Sequence, residues 1–174
     1  MMKKWKARRT ILPFIVFGLL FVSGAVVFGQ RASLISVDRP DVKISLTGIV
    51  ERSTGRIALE EAGLVNPGEI VDWTIRSHNS GKGAAHHYST IGVIPSGTIY
   101  LSSSAHATDD ARIVYSIDQG KTYEARPMIE QKQPDGSVRK VPAPVSLYTH
   151  IRFQWETSLN EGKQFSASYK VRVK

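Results

Sequence analysis

The residues whose types and spacing could do chemistry lie in the middle and late parts of the chain. Ser102-Ser103-Ser104 is followed by His106 and Asp109, so a nucleophile, a base and an acid share one short stretch. A hydrolytic triad is defined by the geometry of those three groups, and no Gly-x-Ser-x-Gly elbow accompanies them. The five histidines are His78, His86, His87, His106 and His150. His86 and His87 are neighbours, so strand geometry would point them to opposite faces, and no histidine spacing matches a zinc-ligand pattern. Asp109-Asp110, Asp118 and Asp135 offer carboxylates. Calcium takes about six to eight oxygens, usually from an Asp-x-Asp-x-Asp loop, and no such loop occurs. With no cysteine in the chain, disulfides, thiolate metal sites and thiol nucleophiles are excluded. A glycosidase would require a placed carboxylate pair, and none is identifiable. No catalytic, metal-ligating or cofactor-binding residue is assigned from these groups.

One local pattern stands out. Ser116-Ile117-Asp118-Gln119-Gly120-Lys121-Thr122-Tyr123 resembles the Asp-box, Ser-x-Asp-x-Gly-x-Thr-aromatic, known from sialidases and other β-propellers. Its physics is that of a turn. The Asp118 carboxylate accepts backbone N–H groups, Gly120 tolerates positive φ, and an aromatic packs beneath. No propeller repeat accompanies it, so it reads as a hairpin stabiliser.

The elements that must carry these groups are strands. Phe165, Ala167, Tyr169, Val171 and Val173 alternate with Ser166, Ser168, Lys170, Arg172 and Lys174, which predicts a strand with one buried and one wet face. Ile151, Phe153 and Trp155 alternate with Arg152, Gln154 and Glu156 in the same way. So do Val71, Trp73 and Ile75 with Asp72, Thr74 and Arg76, and Val42, Ile44 and Leu46 with Lys43, Ser45 and Thr47. Further strands are expected at Tyr88–Ile94, Thr98–Ser102, Arg112–Ile117 and Tyr123–Glu130. Ile57–Leu64 reads as a helical turn or a short strand. Residues 131–148, with Pro134, Pro142 and Pro144, read as a hairpin tip with connector or as an extended loop. Turns punctuate the strands. Asn66-Pro67-Gly68-Glu69 has the type II requirement, Pro at the second position and Gly at the third. Pro95-Ser96-Gly97, Asp118-Gln119-Gly120 and Pro134-Asp135-Gly136 mark three more, and Asn79-Ser80-Gly81-Lys82-Gly83 reads as a flexible loop. The sum is an all-β, antiparallel sandwich of about eight or nine strands. Trp73, Phe153, Trp155, Phe165 and Tyr169 are its expected core aromatics. Tyr88, Tyr100, Tyr123 and Tyr148 are the candidates for an exposed stacking platform.

The N-terminus has a different character. Lys3, Lys4, Lys6, Arg8 and Arg9 precede an uncharged apolar run from Ile11 to Phe28. A basic cluster followed by an apolar run is an export pattern, with the basic side retained in the cytoplasm. The run is apolar on every face, so it predicts one hydrophobic helix that is not a core helix. Two readings fit residues 1–29, a cleaved signal peptide and a membrane anchor. Residues 30–40 read as a tether and 41–174 as the sandwich domain. The net charge of +8 is concentrated at the start. Past residue 29 the balance is 18 basic against 15 acidic residues, an ordinary surface that gives no reason to expect nucleic acid as a partner.

The ordered set of motifs resembles a known family. Asn66-Pro67-Gly68 through Asn79-Ser80-Gly81, then Ile94-Pro95-Ser96-Gly97-Thr98, then Leu159-Asn160-Glu161-Gly162 before an alternating strand, is similar to the bacterial "conserved repeat" domain, number eleven among the domains of unknown function. The likeness covers roughly residues 41 to 174. It departs from the family in holding one copy behind its own export segment, in Trp73 where Tyr is common, and in Ile94 where the family often has an acidic stretch. The resemblance implies an immunoglobulin-like fold in a bacterial cell-surface or envelope protein. The function expected is a non-catalytic structural or interaction protein of the cell envelope. It would be membrane-bound through residues 11–28 or secreted, with a protein or surface polymer as partner and no cofactor. A carbohydrate-binding accessory module is the alternative, and a hydrolase stands behind both.

Overall fold

A computed structural model of the chain describes residues 38–53 and 55–174. The apolar run Ile11–Phe28, and so the expected N-terminal helix, lies outside the described residues. No helix among the described residues is long and apolar enough to cross a membrane.

The described chain is all-β and antiparallel. Eleven strands follow in order: β1 (Val42–Arg52), β2 (Gly55–Ala58), β3 (Ile70–Asn79), β4 (Ser89–Val93), β5 (Thr98–Tyr100), β6 (His106–Ala107), β7 (Arg112–Ser116), β8 (Met128–Lys132), β9 (Val138–Pro142), β10 (His150–Gln154) and β11 (Gln164–Val173). The first sheet runs β2-β1-β3-β11-β5, with β6 also on β11; the second runs β4-β10-β7; β8 and β9 form a separate hairpin. The count exceeds the expected eight or nine because β6 and β9 carry no alternating apolar pattern. The strand expected at Tyr123 begins only at Met128. Residues 131–148 resolve into the β8–β9 hairpin, turning at Gly136 with φ 84°, and a 3-10 turn at Val145–Leu147.

The two longest pairings hold the first sheet. β1 lies against β3 from Val42↔Asn79 to Glu51↔Ile70, and β11 against β3 from Gln164↔His78 to Arg172↔Ile70. Residues directly opposite share a face. Ile44, Leu46, Gly48 and Val50 therefore lie on the same side as Val71, Trp73, Ile75 and Ser77, and as Phe165, Ala167, Tyr169 and Val171. That side meets Thr90, Gly92, Ile151 and Phe153 of the second sheet. The shared core holds Val50, Val71, Ile75, Tyr100, Ile151, Phe153, Trp155, Leu159, Phe165, Tyr169 and Val171. Each fully buried apolar side chain of this size stabilises by about 1.5–3 kcal/mol. Four of the five expected core aromatics, Phe153, Trp155, Phe165 and Tyr169, are buried here. Trp73 is only half-buried and packs at the margin, with its indole Nε1 enclosed but lacking an acceptor.

One end of the fold is clamped by Asn79. Its Oδ1 accepts from the N–H groups of Asp41 and Gly81, both at 3.0 Å, and its Nδ2 donates to Gly83 O at 2.7 Å and Leu159 O at 2.9 Å. A Cβ on Gly81 would overlap Arg39 O and Asp41 N, and one on Gly83 would overlap Asp38 O. The loop read as flexible is thus pinned, and Asp38–Pro40, read as tether, lie against it.

Candidate functional site

Two strands present their apolar residues to solvent, and both line one groove. On β1 the inward-facing Ile44 and Leu46 are 60% and 56% exposed. Alternation assigned them correctly to one face, but the second sheet is too narrow to cover that face. It has three strands against five in the main path of the first, and β4 comes to rest over Tyr169 on β11, short of β1. On β4 the usual polarity of a half-buried strand is reversed. Thr90 and Gly92 are buried, while Ile91 and Val93 point outward, 44% and 53% exposed.

The cause of that reversal is Tyr169. Its ring fills the space a Gly92 side chain would need, so an added Cβ would overlap Cε1 and stand 2.9 Å from Cζ. Its hydroxyl donates to Val93 O at 2.7 Å. Burial pushes the phenol up from its ordinary pKa, which keeps it a hydrogen-bond donor at any physiological pH.

Between β4 and β1 lies an apolar groove of about 510 Å³, floored by Ile44, Leu46, Trp73, Ile75 and Tyr169 and walled by Ser89–Val93. β4 ends the second sheet, so one backbone edge of it is unpaired among the described residues. Ile94 N–H donates to Thr149 O and Trp155 N–H to Tyr88 O. Alternate residues of an antiparallel strand face the partner, so Thr90 and Gly92 turn their backbone groups to β10. Ser89, Ile91 and Val93 turn theirs toward the groove, where Tyr169 takes the Val93 carbonyl.

The other candidates resolve into structural roles. Ser104 Oγ donates to Leu101 O at 2.6 Å and accepts Lys170 N–H at 3.0 Å, so it ties a turn to β11, while His106 sits on β6 opposite Ser168. Among the described residues no cluster of three His, Asp or Glu could hold a metal. Tyr100, Tyr115 and Tyr148 stack on one another at 5.0–5.9 Å, with Tyr100 buried, and Tyr88 packs on Trp155 and Phe165. Tyr123 lies under the Arg152 guanidinium at 3.7 Å. Those tyrosines form no shared exposed platform.

The Asp-box-like turn is a closed network. Asp118 Oδ2 accepts the Thr122 hydroxyl at 2.6 Å, and Oδ1 accepts Thr122 N–H at 2.9 Å and the Ser116 hydroxyl at 2.7 Å. Those bonds, Thr122's first, hold its carboxyl well below the usual range. Gly120 has φ 84°, and so does Gly97 in the Pro95–Thr98 turn, where Thr98 N–H donates to Pro95 O at 3.1 Å. In the Asn66-Pro67-Gly68-Glu69 turn, Gly68 has φ 89° and Glu69 N–H donates to Asn66 O at 3.1 Å. Of the three turns only the second touches the groove, which Pro95 helps to line.

Sequence reasoning missed the groove itself. Its only sequence trace is β4, Ser89-Thr90-Ile91-Gly92-Val93, a strand with neither charge nor proline. No family model, no curated protein and no solved structure matches the chain.

Proposed function

We propose that this chain is a non-catalytic interaction protein of the cell envelope, an immunoglobulin-like β-sandwich displayed outside the cytoplasmic membrane. In this reading it binds its partner in the groove beside β4. The observation that carries the binding role is the groove: an apolar floor open to solvent next to a strand edge that is unpaired among the described residues. Exposed apolar surface of this kind costs solubility unless something covers it. What supports the envelope placement is the basic-then-apolar order of residues 3–28. The family assignment rests on the ordered motifs from Asn66 to Gly162, and the two sheets sharing one core are compatible with it.

Two measurements test this. Cell fractionation with a carbonate wash and N-terminal sequencing places the chain. Retention of the intact chain in the washed membrane supports an anchor, a soluble product beginning near Gln30 supports a cleaved signal, and a soluble intact chain overturns export. A benzophenone side chain at position 46, activated in cells, should form adducts that the same group at position 76, on the opposite face of the first sheet, does not. Equal labelling at both positions would sink the groove as the binding surface.

A further inference from the structure

We propose that the occupant of the groove is an extended strand of a partner polypeptide, added along β4, with large apolar side chains on the face that meets the groove floor. This rests on the reading of the groove as a binding surface and specifies what it takes.

The backbone argues for a strand. Neither the N–H nor the C=O of Ile91 has a partner among the described residues, and the Ser89 and Val93 N–H groups point the same way. Their alternate spacing is matched by another extended backbone and by no compact ligand. Edge strands are normally protected by charge, proline, a bulge or a covering segment. The opposite edge of the same sheet is covered: Tyr115 on β7 exchanges two backbone bonds with Glu124, at 2.8 and 2.9 Å. β4 carries neither charge nor proline, and among the described residues no strand pairs with its free edge, where only the Tyr169 hydroxyl takes Val93 O.

The side chains argue for large apolar residues on the inward face of the guest. Those residues would stand over Ile44 and Leu46, while its outward residues would lie in solvent beside Ile91 and Val93. A strand with one covered face needs apolar residues at every second position only. A second copy of this chain fits poorly. Its β4 would bring Thr90 and Gly92 to the inside, too small to cover Ile44 and Leu46 in a groove of about 510 Å³.

The test uses the purified full-length chain and synthetic peptides. The probe is a seven-residue Val/Ile peptide with paired Glu at each end for solubility. Its counterparts carry alternate N-methylated amides, Ser at every second position, or Ser at every position. The Val/Ile peptide should bind and slow hydrogen exchange of the Ile91 amide on the order of tenfold or more. N-methylation, which removes strand hydrogen bonds and keeps the side chains, should weaken binding on the order of tenfold. Ser at every second position should leave binding in place, because one apolar face still meets the floor, and Ser at every position should abolish it. Leu46→Lys and Ile91→Lys, both at exposed positions, should abolish binding while leaving the unfolding transition in place. Equal affinity for the N-methylated peptide would overturn strand addition and leave the groove reading standing. Failure of every peptide, with position-46 adducts still formed in cells, would show that the occupant is not a strand. Failure of both would remove the groove reading too. A concentration-dependent dimer abolished by Ile91→Lys would overturn the proposal in favour of a second copy.

Discussion

The ring of Tyr169 on β11 occupies the space where Gly92 on β4 has no side chain, and its hydroxyl holds the next carbonyl, Val93 O, at 2.7 Å. This contact joins the two sheets at the margin of the groove and sets which way β4 faces. Gly92→Ala forces the ring or the strand aside. Overpacking of this kind costs about 1–3 kcal/mol. Denaturant titration should show that loss, and Gly92→Ala combined with Tyr169→Leu should recover part of it as a coupling energy. Additive losses would mean the two residues do not confront each other.

Asn79→Ala removes four side-chain hydrogen bonds at one buried position and leaves Gly83 O and the N–H groups of Asp41 and Gly81 without partners, while Leu159 O keeps the Ala85 N–H. Unsatisfied buried groups are costly, and a total loss of about 2–4 kcal/mol is expected by chemical denaturation. Hydrogen exchange at Asp41 and Gly81 should speed up before that of the β3 centre. A loss confined to a few tenths of a kcal/mol would show that the clamp is incidental.

Asp118 is held ionised by Thr122, Ser116 and Lys121, so its folded pKa lies below the unfolded value of about 4. A depressed carboxylate contributes stability that is present above the unfolded pKa and drains away as the pH falls toward the folded one. Glu69 behaves alike, held low by Arg52 Nε at 2.7 Å. Thermal melts should therefore fall in Tm below about pH 4. Asp118→Asn should be less stable at pH 7 and show a shallower acid decline. An unchanged slope would assign the acid sensitivity elsewhere.

Arg152 lies 3.7 Å over the Tyr123 ring on the outer face of β10. Tyr123→Leu keeps apolar cover and removes the ring's negative face, at a cost of about 0.5–1 kcal/mol. Arg152→Lys should keep only part of that contribution, because guanidinium stacks flat and ammonium does not. Equal stability of all three proteins in urea would dismiss the pair.

How far the residues alone foretold this depends on whether the deciding contact is local. The strand from Phe165 to Val173 and the Asn66–Glu69 turn were legible because alternation, Pro67 and Gly68 act within a few residues. The inversion of β4 was not, since Gly92 faces inward on account of Tyr169, which is distant in sequence. The exposure of Ile44 and Leu46 was not either. Periodicity assigns a side chain to a face, while the width of the facing sheet decides whether that face is covered. Asn79 was visible as part of a turn motif, but its four bonds reach Asp41 and Leu159, which no local pattern names.

The flanking of β3 by β1 and β11 has a mechanical consequence. β1 begins beside Asn79 and runs toward Ile70, and β11 runs the same way on the other side, so the two chain ends leave from opposite poles of the sheet. Tension drawn between them would act along the strands and load both ladders at once in shear, instead of peeling bonds one by one. Asn79 braces the first pole, so both ladders would share such a load.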